Sequence, residues 1–369
     1  MKEIFKSYKY RMIPTKDQIV ILEKHFGACR FIYNHFLSIR KELYENAKIS
    51  RNSYADSKDL TILKHTEEFS WLNEIYSHSL RSELFNLDKA YDKFFKKTGG
   101  FPKFKKKSDT QSYSIPVPIK VIGKFVKIPK IKSNIRIRIK KEVVGEIRYA
   151  TISKSSTGKY FISITYKEQY TPYKKTNSTV GIDTGIKNLA ILSNGEIYDN
   201  IKPIKKYIKK LKYNHRQLSK KVNGSSSRNK QRIKLAKTYE KVTNIRTDYL
   251  HKVSTEIIKN HDIICIEDLS VKKMTQNKLL AKSLQDVSLG TFYSFLQYKA
   301  TKNDKVIVKI DKYFPSSKKC SICGYIKEDL TLKDREWVCP NCNTKHDRDF
   351  NASINIKNEG IKILSGYGE

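Results

Sequence analysis

The stretch PSSKKCSICGYIKEDLTLKDREWVCPNCNTKHDRDFNASINI, Pro315 to Ile356, decides how this chain is read. Cys320 and Cys323 form one C-x-x-C pair, and Cys339 and Cys342 form a second after fifteen intervening residues. Each pair offers two thiolates from one tight turn, and two pairs at this separation predict the four-sulfur shell of a structural zinc ribbon. HDRDFNASIN, His346 to Asn355, follows at once and carries Asp347 and Asp349 at the start of a helical segment. A ribbon that delivers a carboxylate to a following helix is expected to set it beside carboxylates from far upstream.

Working outward, two apolar segments end in acids. VGIDTG, Val180 to Gly185, reads as a buried strand with Asp183, and NLAILSNGEIYDN continues it through the hairpin signal Asn194-Gly195. HDIICIEDLS, His261 to Ser270, is a second buried strand with Glu267 at its end. A charge beside an apolar strand is costly unless it is solvated, paired or metal-bound. Taken singly, each acid has the bland reading of a strand-end or helix-cap carboxylate, Asp349 in particular. Asp268 and Asp347 are adjacent candidates, and Glu267 and Asp349 are preferred. Taken together, Asp183, Glu267 and Asp349 predict a site for magnesium (or manganese), hard cations that prefer carboxylate oxygens and can activate water for phosphodiester hydrolysis. The order strand, hairpin, strand, helix agrees with an RNase H-like domain, with the ribbon inserted between the second and third acids.

Charge points the same way. Lys and Arg number 74 against 37 Asp and Glu, a formal net charge of +37 over 369 residues, so a polyanionic partner is expected. The length suits two or three domains. Of six cysteines four belong to the ribbon, and Cys29 and Cys265 lie in apolar stretches as small buried hydrophobes. No secreted disulfide framework is implied. The N-terminus MKEIFKSYKYRMIPTK lacks the apolar core of a signal peptide, and no apolar run would span a bilayer. A cytoplasmic, membrane-free location follows as an expectation.

The remaining chain divides by periodicity. FKSYKYRMI, residues 5 to 13, predicts a first strand, and Thr15 with Gln18 fits a helix capping box. Leu22, Phe26, Cys29, Tyr33 and Phe36 then make one helical stripe, with further helices around 60–65 and 79–95. GGFPKFKKK, Gly99 to Lys107, is a cationic loop whose Phe101 and Phe104 suit either a nucleic-acid backbone or simple anchoring of the loop. NIRIRIK (134–140) alternates apolar and cationic residues, and KYFISITYK (159–167) pairs with 148–154 across SSTG. These short strands predict a small β-barrel with a basic wall. From 201 to 260 a basic helical hairpin turns at NGSSSRN, with Leu235, Tyr239, Val242, Ile245, Tyr249 and Val253 as its second-arm stripe.

At these residues the chain resembles the TnpB family, the OrfB-type proteins of compact bacterial insertion sequences, and is more distantly similar to type V CRISPR effectors. The matching segments are GIDTGIKNLA (181–190), NIRTDYLHKVS (244–254), IEDLSVKKM (266–274), FLQYKA (295–300), REWVCPNC (335–342) and HDRDFNASINI (346–356), with FGACRFIYNHFL (26–37) and FPKFKKK (101–107) earlier. The resemblance implies an RNA-guided DNA endonuclease with one RuvC-like site, which binds a guide RNA and cuts double-stranded DNA next to a short motif. It implies Asp183, Glu267 and Asp349 as catalytic metal-binding acids and Cys320, Cys323, Cys339 and Cys342 as zinc ligands. The expected whole is α/β and multidomain. Residues 1–15 and 99–176 would form the wedge-like barrel, 16–98 a helical recognition domain of helix-turn-helix type, 177–314 with 346–369 the nuclease domain, and 315–345 the ribbon. The working form would be a monomeric ribonucleoprotein. Ser353 stands where the family usually has alanine. A guided repressor that does not cut and a transposase or resolvase acting on DNA alone are the competing readings.

Overall fold

Alternating side chains build the first element of the computed structural model, which describes residues 1–139, 143–269, 276, 278–331 and 333–366. Lys140 of the NIRIRIK segment and Ser270 to Met274 of IEDLSVKKM lie outside those residues. The chain forms two compact units, Met1–Tyr170 and the residues from Thr171 onward.

In the first unit β1 (Lys2–Ile13) is followed by β2 (Gln111–Ile115), β3 (Lys120–Ile122), β4 (Phe125–Lys127), β5 (Ile135–Arg138), β6 (Glu146–Lys154) and β7 (Tyr160–Tyr170). They hydrogen-bond in the order β2-β6-β7-β1-β5-β4-β3, antiparallel throughout. Among the described residues the ladder ends at β2 and β3, so the expected barrel is there a sheet with two edges. Its basic wall is as read: Ile135 and Ile137 are buried while Arg136 and Arg138 are exposed. The SSTG turn closes β6 onto β7, with Gly158 at φ 78° where an L side chain is strained.

Between β1 and β2 stand three helices, α1 (Lys16–Ala47), α2 (Ser53–Leu63) and α3 (Ser77–Phe95). Thr15 caps α1 through the expected box, its side chain accepting from the Gln18 amide while the Gln18 side chain accepts from the Thr15 amide. Leu22, Phe26, Cys29, Tyr33 and Phe36 all enter the core of this unit. The GGFPKFKKK loop is tied down chiefly by Lys105. The Asn34 side chain exchanges two hydrogen bonds with the Lys105 backbone, at 2.7 and 2.9 Å, and the Lys105 ammonium meets buried Glu83 at 2.6 Å. Phe101 and Phe104 stay 43% and 47% exposed, and Phe101 also packs edge-on against Tyr91 and Phe94 of α3, with centroids 5.6 and 5.3 Å apart.

The second unit is a three-layer arrangement around β8 (Thr179–Asp183), β9 (Asn188–Leu192), β10 (Ile197–Asp199), β11 (Ile263–Glu267) and β12 (Val306–Ile310). Their order is β10-β9-β8-β11-β12; β8 to β10 are antiparallel, and β11 runs parallel to both β8 and β12. Gly195 in the β9–β10 turn has φ 93°, as the Asn-Gly signal requires. Helices α4 (Pro203–Ser219) and α5 (Ser226–Asn260) form the basic hairpin, followed by α6 (Lys278–Val287), α7 (Leu289–Lys302) and, after the ribbon, α8 (Arg348–Ser365).

Strand periodicity assigns the layers. Val180 and Ile182 of β8 and Ile264 and Ile266 of β11 pack with Leu250, Val253 and Ile257 of α5 and Phe292 and Leu296 of α7. The alternate residues face α8: Cys265, Val308 and Ile310 cluster with Ile356. Glycine makes this close packing possible. A Cβ on Gly181 would lie 2.1 Å from the Ser353 carbonyl oxygen, and one on Gly360 would lie 2.3 Å from the Cys265 sulfur. The α5 stripe holds only in part. Leu235, Val242 and Val253 are buried, but Tyr239 is 45% exposed and bonds His215 of α4 at 2.8 Å. The reason is length: the first half of α5 pairs with α4 while the second half covers the sheet, so one unbroken stripe cannot serve both.

Candidate active centre and metal knuckles

Parallel pairing brings two of the acids together. Ile182 stands opposite Ile266 across β8 and β11, so the next residues, Asp183 and Glu267, emerge side by side at the carboxyl edge of the sheet. Both lie two residues beyond positions that face α8, Gly181 and Cys265, and therefore share that face. Asp349 sits in the first turn of α8. Helix α8 packs along β8, β11 and β12, and its first turn places Asp349 where its charge acts on Asp183.

Electrostatics record the convergence. The Asp183 carboxyl is pushed well above the usual carboxylate range, first by burial and then by the charges of Glu267 and Asp349, with Arg348 opposing. Burial also raises Glu267, against a hydrogen bond from the Ser316 hydroxyl to its Oε1 at 2.5 Å. All three acids remain partly exposed, open to an ion or a substrate. Oxygen donors crowded at this electrostatic cost suit a hard divalent cation, which would favour the charged forms. The carboxylates are more loosely grouped than the cysteines, whose donor atoms all lie within 4.8 Å of one another.

The alternatives weighed for the acids resolve by role. Asp347 is the N-cap of α8 and accepts from the Phe350 amide at 2.8 Å. Asp268 pairs with Lys309 at 3.1 Å and is exposed. Neighbours not anticipated from the sequence complete the surroundings. Arg335, from the ribbon, meets Asp349 at 3.2 Å. Tyr293 of α7 bonds the Thr184 hydroxyl at 2.6 Å, and its own hydroxyl is held strongly protonated by burial and by the nearby acids. Charge alternation in KDREW was the available hint for Arg335; Tyr293 had no signal beyond a helical stripe.

The four cysteines form the second site. Sulfurs of Cys320 and Cys342 are 3.7 Å apart, and those of Cys323 and Cys339 are 3.6 Å apart. A tetrahedron with ~2.3 Å metal–sulfur bonds has edges of ~3.8 Å, so the four sulfurs could hold zinc. Both pairs are built alike. The Gly324 amide donates to the Cys320 carbonyl at 3.0 Å and the Asn343 amide to the Cys339 carbonyl at 2.8 Å, with Gly324 at φ 79° and Asn343 at φ 55°. The Asn341 side chain and the Tyr325 backbone hold the Cys323 thiol down at about 6. Short strands β13 (Glu336–Val338) and β14 (Lys345–Asp347) close the ribbon, and His346 brings Nε2 to 3.1 Å from the Cys320 sulfur.

Residues 161–278 match a family model described as "Probable transposase", residues 290–356 match "Cas12f1-like, TNB domain", and residues 1–48 match "Helix-turn-helix domain". In this chain the last segment is β1 and the single long helix α1. A Streptomyces pristinaespiralis protein named "Putative RNA-guided DNA endonuclease" is 33% identical over 98% of this chain and 90% of its own length. InsQ of Escherichia coli K12, which bears the same designation, is 31% identical over 97% of this chain and 93% of its own. The TnpB-like protein L79 of Acanthamoeba polyphaga mimivirus is 26% identical over 96% of this chain and 73% of its own. Among solved structures, the Cas12f1–sgRNA–target DNA complex has a chain of like fold, with TM-score 0.59, 14% identity, and coverage of 96% of this chain and 99% of that one. The mini-RNA-guided endonuclease CRISPR-Cas_phi3 gives TM-score 0.52 at 10% identity, with coverage of 97% and 92%.

Proposed function

The chain belongs to the TnpB family, and on that premise we propose that it is an RNA-guided DNA endonuclease with a single RuvC-like centre. The observation that carries this reading is the meeting of Asp183, Glu267 and Asp349 at one sheet edge. The β10-β9-β8-β11-β12 order, three antiparallel strands followed by two parallel ones, supports reading this unit as an RNase H-like domain. The ribbon between β12 and α8 supports an inserted zinc module. The excess of 37 positive charges supports binding to RNA and DNA backbones.

In this reading Asp183, Glu267 and Asp349 hold magnesium or manganese. Such ions, when bound, activate water and stabilise the leaving oxygen of a phosphodiester. The protein's own contribution is placement. Parallel pairing fixes Asp183 beside Glu267, Ser316 orients the Glu267 carboxylate, and Arg335 steadies Asp349 while offering a cation near an incoming phosphate. The sheet and helices of residues 1–170 would serve guide and target recognition, with base pairing reading sequence and protein reading the adjacent motif. One copy of the chain on one guide RNA is the expected working form, acting where chromosomal and element DNA lie. Among the described residues no helix is long and apolar enough to cross a membrane.

The test is cleavage of a plasmid by protein produced together with its own flanking DNA, which supplies the guide. The expected result is cutting at a matched target, lost in Asp183→Ala, Glu267→Ala and Asp349→Ala with nucleic-acid affinity retained. A variant that still cuts removes its acid from the centre. Matched binding without cutting by the unaltered protein would make it a guided repressor.

A further inference from the structure

Of the three acids, Asp183 and Asp349 are short and are placed by their backbone. Glu267 is longer and more flexible, so its carboxylate needs a side-chain partner to stay in one place. The structure supplies one. Ser316 is 7% exposed and donates its hydroxyl to Glu267 Oε1 at 2.5 Å, leaving Oε2 for a cation. Ser316 is itself fixed from α8: Asn355, 3% exposed, donates Nδ2 to the Ser316 carbonyl at 2.8 Å and to the Lys319 carbonyl at 2.6 Å. Asn351, one helical turn earlier, repeats the grip by donating to the Lys319 carbonyl at 2.8 Å and accepting from the Ser321 amide at 2.9 Å. Asp349 stands on the same helix, two residues before Asn351.

We propose that Ser316 and Asn355 are positioning residues that set the distance between Glu267 and Asp349 and so tune divalent-metal affinity at the active centre. A continuous relay runs from Glu267 through the Ser316 hydroxyl and carbonyl, the Asn355 amide and the α8 backbone to Asp349. It joins the second acid to the third without passing through the sheet. Asn355 is buried and spends its donors on two carbonyls of the segment leading into Cys320. That segment is therefore shared by the zinc knuckle and the acids. The relay uses no cysteine, so it can be broken while the zinc shell stays whole. The inference rests on the metal-dependent reading of the three acids given above.

The experiment is a Mn2+ titration of the full-length protein followed by electron paramagnetic resonance, counting only the binding that Asp183→Ala removes. Zinc content is measured in parallel. Ser316→Ala and Asn355→Leu are expected to keep one zinc per chain and to weaken Mn2+ binding by roughly 10- to 100-fold, as loss of an outer partner does at other metal centres. The metal concentration for half-maximal cleavage should rise in step, and Ser316→Thr, which keeps the hydroxyl, should restore both. Unchanged Mn2+ binding in Ser316→Ala with zinc retained would overturn the proposal. Loss of zinc from Ser316→Ala would also overturn it, by making Ser316 a ribbon residue. If Asp183→Ala removes no Mn2+ binding at all, the metal-centre reading itself fails and takes this inference with it.

Discussion

Gly181→Ala is the sharpest test of how the centre is assembled. The new methyl would lie 2.1 Å from the Ser353 carbonyl oxygen, 2.5 Å from the Lys357 amide and 2.8 Å from the Lys357 Cβ. Two of these are backbone atoms of α8, which cannot rotate away as a side-chain tip can. Ordinary contact begins near 3.4 Å, so β8 and α8 must separate by on the order of 1 Å in a layer packed at crystal-like density. Gly181 lies two residues from Asp183, and Ser353 one turn from Asp349, so the separation falls directly on the distance between two acids. A displacement of that size costs on the order of 100-fold in rate when reacting groups must align, and overpacking costs roughly 1–3 kcal/mol of stability. The assay is single-turnover cleavage of matched DNA by the guided complex, alongside filter binding and thermal melting. Expected are normal affinity, a modestly lowered melting temperature and a rate down about a hundredfold. Cleavage at the unaltered rate would refute the claim that β8–α8 contact sets the spacing of the acids.

Other outcomes follow from the same geometry. Because Asp183 and Glu267 are raised in the folded protein, their contribution to stability without divalent metal is fully present below the unfolded carboxylate range and lost as pH rises through the folded values; Asp183→Asn should flatten that decline in chelator, as read by melting against pH. Divalent metal should reverse the trend, since its binding requires the deprotonated acids. Cys339→Ser is expected to release zinc and lower the melting temperature, because structural zinc contributes folding energy directly; unchanged zinc content and melting would remove Cys339 from the shell. In the first unit, Arg40 pairs with fully buried Asp56 and with Asp88, each at 2.7 Å. Arg40→Met leaves Asp56 with Arg51 alone, at 3.1 Å, and should cost up to about 3 kcal/mol in denaturant unfolding, less in mild acid where the carboxyl can protonate.

How much of this was legible beforehand depended on how local each signal was. The C-x-x-C spacing, the Thr15–Gln18 cap and the Asn194-Gly195 turn are set by neighbours in sequence, and each takes the conformation its residues require. Strand alternation at Ile135–Arg138 likewise separated the two faces. The acids stood out because a carboxylate after an apolar strand is conspicuous. Their partners were not, because Ser316, Asn351 and Asn355 are ordinary polar residues until long-range packing buries them. Closure of the first sheet was misread for a related reason. Periodicity tells which face of a strand is apolar but not whether the outermost strands meet. On α5 an average helical stripe concealed two successive partners, and Tyr239 fell on the seam between them.

The place of the ribbon between β12 and α8 has a consequence for synthesis. A growing chain makes Asp183 and Glu267 well before Asp349, and the interval from 183 to 349 takes roughly 10–30 s at ordinary elongation rates. During that time the chain already carries at least half of its lysines and arginines, while the proposed centre lacks its third acid. Helix α8 seats on β8, β11 and β12 and grips the Ser316–Ser321 segment that precedes it, and its asparagines need that backbone in its folded shape. On the proposed function, nuclease competence would be acquired late, once Asp349 and α8 are made. On the same reading, a ribosome that stalls shortly before Asp349 would leave a cationic fragment without the third acid of the proposed centre.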